Sequence, residues 1–160
     1  QASKEQLEKL AQAVDQEYES CFAEKKSFFG TEQIEEAMQK VMDQYAGGIG
    51  THYQFNEKQL AMAEEKIKKL QILAKGLAAA DMHELMFIYE LKERLTVCLT
   101  VIAHLRARKE TRWHSFAENL DYPEKSDAWL CYVNSKKNGD QITMIRRDLV
   151  KGGETYEHRD

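Results

Sequence analysis

Residues 85–105 constrain this chain more than any other stretch. From Leu85 to Leu105 apolar side chains recur around most of a helical circumference, and Lys92, Thr96, Thr100, His104 and Arg108, each four residues apart, leave one thin polar stripe. A helix of that kind needs cover on several sides. It is therefore expected to be the central helix of the fold, with any side left uncovered available to a further domain.

The flanking pattern supplies its neighbours. Over residues 4–26, Leu7, Leu10, Val14, Tyr18, Cys21 and Phe22 recur at three- and four-residue spacing, the mark of an amphipathic helix, which "FFGT" then breaks. Thr31 is the expected N-cap of a second helix carrying Ile34, Met38, Val41, Met42 and Tyr45, with Gly47 suited to a left-handed C-cap. "AGGIGTHYQF" follows as a loop. Asn56 and Gln59 form a capping-box pattern for a third helix with Leu60, Ala63, Ile67, Leu70, Ala74 and Leu77 on a narrow seam, and Asp81 with Glu84 repeats that signal for the central helix, expected from about Met82 to Arg108.

After Pro123, the single proline, the period changes. "WLCYVNS" is aromatic and β-branched, "KKNGD" holds the Asn-Gly signal of a tight turn, and "QITMI" alternates polar with apolar, a pattern that predicts a β-hairpin. The expected fold is mainly α: an antiparallel bundle of three to four long helices over 1–126, a β-hairpin over 127–150 packed on the same domain, and a flexible polar tail over 151–160.

Composition narrows the function. The net charge of -4 arises from 23 basic and 27 acidic residues that are interspersed, so no basic face for nucleic acid is evident. Cys21, Cys98 and Cys131 are far apart and form no C-x-x-C pair, against a disulfide framework, a zinc site or an iron–sulfur cluster, and in favour of a reduced, cytoplasmic setting. No apolar run reaches the ~20 residues that span a bilayer.

The search for chemistry is mostly negative. "GGIG" at 47–50 lacks the preceding strand that a strand–turn–helix phosphate cradle requires. His52, His83, His104, His114 and His158 make no H-x-x-x-H pair, and Ser115 beside His114 has no nucleophile elbow. No catalytic, cofactor-binding or metal residue is assigned, and the chain by itself is expected to fold, to be enzymatically silent and to bind no FAD.

Two stretches carry a resemblance. "DMHELMFIYELKERLTVCLTVIAHLRARKETRW" and "DYPEKSDAWLCYVNSK" resemble the C-terminal helical domain of the flavoprotein subunit in the fumarate reductase and succinate dehydrogenase family, and within it most resemble the adenylylsulfate reductase α subunit. The matching elements are the E-[ST]-R signature at Glu110, Thr111 and Arg112, the acidic-aromatic-Pro element at Asp121, Tyr122 and Pro123, and the Trp129–Leu130 pair before the hairpin. "MQKVMDQYAGGIGTHYQFNEKQL" extends the similarity to about residues 31–150. The chain departs from the family pattern at Trp113, His114 and Ser115, where relatives carry Pro-Gly or Gly, and at Asn119–Leu120, where an arginine is common.

The resemblance implies a non-catalytic fragment of an FAD-dependent oxidoreductase whose FAD lies in a domain N-terminal to this one. Its implied partners are the FAD-binding and capping domains of the same parent chain and, in some members, an iron–sulfur subunit in electron transfer, with the parent complex cytoplasmic or peripheral to a membrane. Arg108, Glu110, Arg112, Trp113, His114, Glu118 and Asp121 are then candidates for an interdomain surface, because arginine's planar fork pairs bidentately with carboxylates across a junction. The plainer alternative is a solvated helix end, with Arg106, Arg108 and Lys109 complementing the helix dipole. A different class of function also fits: an independent helical interaction module that binds a partner helix through residues 85–105, or that self-associates through them.

Overall fold

The computed structural model describes residues 3–22, 28–139 and 141–150. Its order is α1 (Lys4–Cys21), α2 (Thr31–Tyr45), a 3-10 turn (Ile49–Thr51), β1 (Gln54–Phe55), α3 (Glu57–Ala74), α4 (Met82–Ala107), β2 (Glu118–Asn119), a second 3-10 turn (Asp127–Trp129), β3 (Cys131–Asn138) and β4 (Gln141–Asp148). The fold is mainly helical with a C-terminal antiparallel strand pair, as expected. The tail over 151–160 lies outside the described residues.

The helix starts follow local capping chemistry. Ser3 and Gln6 form a reciprocal capping box at α1, outside the seam that begins at Leu7. At α3 the expected box is present: Gln59 N donates to Asn56 Oδ1 at 2.8 Å, and Asn56 N to Gln59 Oε1 at 3.1 Å. At α4, Glu84 N donates to Asp81 Oδ1 at 2.9 Å, while the Glu84 carboxylate reaches back to Ala80 N instead of Asp81 N. Thr31 is not the N-cap of α2 but its first helical residue; Gly30 precedes it, and Gln33 Oε1 accepts from Gly30 N at 2.9 Å. This is the back-reaching half of a capping box; Gly30 has no side chain to supply the other half.

The residues form two compact units, residues 1–40 with 66–97 and residues 41–65 with 98–160. In the first, α4 turns Leu85, Ile88, Leu91 and Leu95 inward, and Ile34, Met38, Ile67, Ala74 and Leu77 are buried in the same unit. The opposite side of α4 stays uncovered: Met82, Met86, Phe87 and Val97 are all exposed. The central helix is thus covered on one side, short of its nearly all-round apolar character. In α1 the expected seam departs further, since Leu7, Leu10 and Val14 are exposed and only Cys21 is buried. Periodicity records which face of a helix can pack, not whether a neighbour lies within reach of it. Engagement begins at Glu17, which pairs with Lys92 at 2.8 Å, and Ala79 N donates to the Cys21 carbonyl at 2.7 Å.

In the second unit, Phe55, Leu60, Ala63 and Ile102 form the apolar core, and Glu110, Thr111 and Asn119 are buried with them. β1 and β2 pair in parallel, Gln54 with Glu118 and Phe55 with Asn119, across 64 residues of sequence. Strands of two residues carry no readable alternation, so neither was visible in the sequence. The expected hairpin is present: Cys131 opposes Asp148 and Asn138 opposes Gln141, so Asn138 of the Asn-Gly pair closes the ladder.

Candidate functional site

The stretch from Arg108 to Asp121 is organised by one carboxylate. Glu110 follows α4 by three residues, and its side chain has no exposed surface. Arg108 Nη1 donates to Glu110 Oε1 at 2.6 Å, Arg112 grips both oxygens through Nε and Nη2 at 2.9 Å each, and Ser126 N donates to Oε2 at 3.0 Å. Burial by itself would raise the Glu110 pKa. The bonds from Arg112, Ser126 and Arg108 outweigh it and hold the carboxyl at about 2, so it is ionised throughout the neutral range.

Each guanidinium also ties down backbone. Arg108 donates to the carbonyls of Trp129 (2.9 Å) and Cys131 (3.0 Å), fixing the start of β3 against the end of α4, and Arg112 donates to the Ser126 carbonyl at 3.2 Å. Trp129 lies between cations, its ring centroid 5.9 Å from the Arg108 guanidinium carbon and 4.3 Å from that of Arg146. The bidentate fork expected to reach across a domain junction is therefore closed on Glu110 of the same chain. Arg108 and Arg112 are both bonded to Glu110 within this unit.

Thr111 carries the second half of the arrangement. Its buried hydroxyl donates to the Tyr122 carbonyl at 2.9 Å and accepts from Asn119 N at 3.0 Å, while Asn119 Nδ2 reaches the Arg108 carbonyl at 3.4 Å beyond the end of α4. Asp121 closes the circuit by accepting from Glu57 N at 2.7 Å, at the first residue of α3. Its position stabilises the positive end of that helix. The sequence marks Thr111 within the E-[ST]-R signature and Asn119 as a departure from the family pattern, but isolated polar residues in a polar stretch carry no signal of burial.

The other candidates stand apart from this network. A tight turn runs from Trp113 to Ala117, whose N–H donates to the Trp113 carbonyl at 3.0 Å, and it presents Trp113 at 69% and Phe116 at 73% exposure. His114 projects to solvent, 3.8 Å from the Glu118 carboxylate. Glu118 accepts from Ser115 N at 2.9 Å, which is the main reason its carboxyl is held below the usual range, and from Gln54 Nε2 at 3.4 Å. Three non-glycine residues with left-handed backbone flank the strand pair: His52 (φ 52°) and Tyr53 (φ 62°) before β1, and Ser115 (φ 69°) before β2. Left-handed non-glycine residues persist only where their surroundings over-determine them. Here the Tyr53 carbonyl accepts from Glu118 N at 2.9 Å, and the Tyr53 and Phe116 rings lie 6.3 Å apart.

Beneath the turn lies a cleft of about 340 Å³ lined by Phe55, Val101, Leu105, Trp113 and Val133, with Thr100, His104, Arg108 and Arg112 also on its wall. The lower part of the polar stripe on α4 thus faces this cleft.

The glycine-rich loop is not a phosphate cradle. Gly50 N donates to Asp43 Oδ1 at 3.0 Å, and a Cβ on Gly48 would overlap the Asp43 backbone. The loop's close approach serves a carboxylate of this chain. These residues therefore do not fit the diphosphate of a dinucleotide such as FAD, which needs free N–H groups at a helix N-terminus. Among the described residues, no three His, Cys, Asp or Glu side chains converge as a metal site would require, and no helix is long and apolar enough to cross a membrane.

Comparison with known proteins settles the family. The family described as the fumarate reductase flavoprotein C-terminus matches residues 35–154. The chain belongs to that family. It is 34% identical over 98 residues to adenylylsulfate reductase subunit alpha of Megalodesulfovibrio gigas, covering 61% of this chain and 15% of that protein. Adenylylsulfate reductase from Archaeoglobus fulgidus has a similar structure, with a TM-score of 0.76 at 36% identity over 82% of this chain and 21% of its own. The FrdA chain of E. coli quinol fumarate reductase shares the fold over 98% of this chain and 27% of its own, with a TM-score of 0.77 at 18% identity. The chain spans between about one seventh and about one quarter of the length of these relatives. The E-[ST]-R signature on which the resemblance rested is thus the Glu110 clamp.

Proposed function

We propose that this chain is the non-catalytic C-terminal helical domain of an FAD-dependent oxidoreductase of the adenylylsulfate reductase type, bracing the FAD-binding and capping domains of its parent polypeptide. The observation that carries this reading is the turn from Trp113 to Ala117. Two aromatic side chains stand in solvent on a backbone locked by the Glu110 clamp and the β1–β2 pair, and large aromatics on a rigid support are what a docking surface needs. Trp113, His114, Phe116 and the cleft-facing edge of Arg112 form the interdomain surface in this reading; Arg108, Glu110, Glu118 and Asp121 hold it in shape. FAD and the groups that react with substrate belong to the other domains of the parent, which the reading places in the cytoplasm, in electron transfer with an iron–sulfur partner.

The test compares the chain alone with the flavoprotein that contains it. The chain alone is expected to be colourless, with a melting temperature unmoved by added FAD. In the flavoprotein, Trp113→Glu is expected to weaken flavin retention while leaving the melting curve of the isolated chain in place. Flavin bound stoichiometrically by the chain alone would refute the reading.

The exposed side of α4 favours a second reading, an independent helical interaction module, because Met82, Met86 and Phe87 are exposed together near its start, the kind of apolar surface that monomers hide by association. Light scattering over a rising concentration series decides it. Growth to dimers or larger species that Met86→Lys abolishes supports the module, and a monomer at all concentrations counts against it.

A further inference from the structure

We propose that the cleft beneath Trp113 receives a peptide segment that presents an aliphatic side chain next to an acidic one; this rests on the reading of the Trp113 turn as a docking surface. The apolar side chain enters between Phe55, Val101, Leu105 and Val133 under the Trp113 ring, and the carboxylate binds the guanidinium of Arg112. The cleft wall is overwhelmingly apolar, so its occupant must bring an apolar group.

Charge decides the second half. Arg108 and Arg112 both line the cleft, and against these two guanidinium charges the lining holds one carboxylate, Glu110, which is saturated by four bonds. Arg112 uses Nε and Nη2 on Glu110 and the Ser126 carbonyl, while its Nη1 donates to nothing among the described residues. Asp127 adds negative potential near Arg112 but is not bonded to it and does not line the cleft. No buried side-chain nitrogen among the described residues lacks a partner, so this guanidinium edge is open to water, and an ionised carboxylate is the acceptor that displaces that water most favourably. A basic segment would meet two arginines and is disfavoured.

The experiment titrates the chain with N-acetyl-leucyl-glutamyl amide and with its glutaminyl and lysyl counterparts, following the Trp113 indole N–H by NMR with the Trp129 indole as internal reference. The glutamyl peptide is expected to shift Trp113 saturably in the millimolar range, as suits a fragment of an interface, and the glutaminyl peptide to bind about ten-fold more weakly. Val101→Trp, an exposed helical position that fills the cleft, should abolish the shift while leaving the remaining spectrum unchanged. Equal binding of the glutamyl and glutaminyl peptides, no Trp113 shift at 100-fold excess over the protein, or persistence in the Val101→Trp chain would each overturn the proposal. If any of these occurs while the turn is still protected within the flavoprotein, the surface reading stands and only the identity of its occupant fails.

Discussion

Arg112 holds the carboxylate of Glu110, two residues before it, through two parallel bonds of 2.9 Å, and Arg108 approaches the same carboxylate from the other side in sequence at 2.6 Å. Removing the shared carboxylate leaves two guanidiniums facing each other without their common partner. Breaking a buried pair in this way costs about 3 to 5 kcal/mol, and partial exposure of both arginines brings the expectation for Glu110→Gln to about 2 to 4 kcal/mol. Urea unfolding of the chain measures it as a lower midpoint at unchanged slope. Arg112→Ala should shift the midpoint in the same direction by less, because Arg108 and Ser126 N still hold Glu110.

The same carboxylate predicts a response to acid. Its pKa is lowered from 4.5 to about 2 in the folded chain, so its stabilisation is fully present above about pH 4.5 and is lost as the pH falls toward 2. The contribution is on the order of 3 kcal/mol at 1.36 kcal/mol per pKa unit. Stability measured from pH 6 down to pH 2 should fall less steeply in Glu110→Gln than in the unmodified chain. Parallel pH profiles would show that other carboxylates control acid unfolding.

Gly48→Ala probes the loop that resembles a phosphate cradle. The added methyl would overlap Asp43, backbone included, so a loss of about 1 to 3 kcal/mol is expected. Gly139→Ala meets no neighbouring atom and bears only the strain of a left-handed φ of 60°, so it should cost less. Thermal unfolding of the two variants side by side gives the comparison.

Asp121→Ala removes the acceptor for Glu57 N at the start of α3. The loss of one capping contact, typically about 1 kcal/mol, is expected in chemical denaturation, with no change in the far-ultraviolet helical signal of the folded chain. A loss above 3 kcal/mol would indicate that Asp121 supports more than that helix end.

Much of the fold was legible because its determinants are local. Asn56 with Gln59 and Asp81 with Glu84 announced helix starts, and the alternation of "QITMI" announced a strand; each signal needs only near neighbours in sequence. The β1–β2 pair joins residues 64 apart over two positions each, and the burial of Thr111 and Asn119 depends on that pairing. Nothing within a helical window reports it. Arg112 shows the same limit at the site. Its side chain was recognisable as a carboxylate fork, but whether the carboxylate lay in this chain or another depended on the turn that brings Glu110 and Ser126 N together. The exposed seam of α1 marks the opposite error, in which a clear local pattern has no local counterpart.

The central claim, that the Trp113 turn docks on the other domains of a flavoprotein, is tested most directly by hydrogen exchange of residues 113–117, compared between this chain alone and the flavin-containing polypeptide to which it belongs. The account predicts that exchange of the turn amides is slower by about ten-fold or more in the flavoprotein than in the isolated chain, while the hairpin amides of β3 and β4 change little. Equal exchange of residues 113–117 in the two would contradict it.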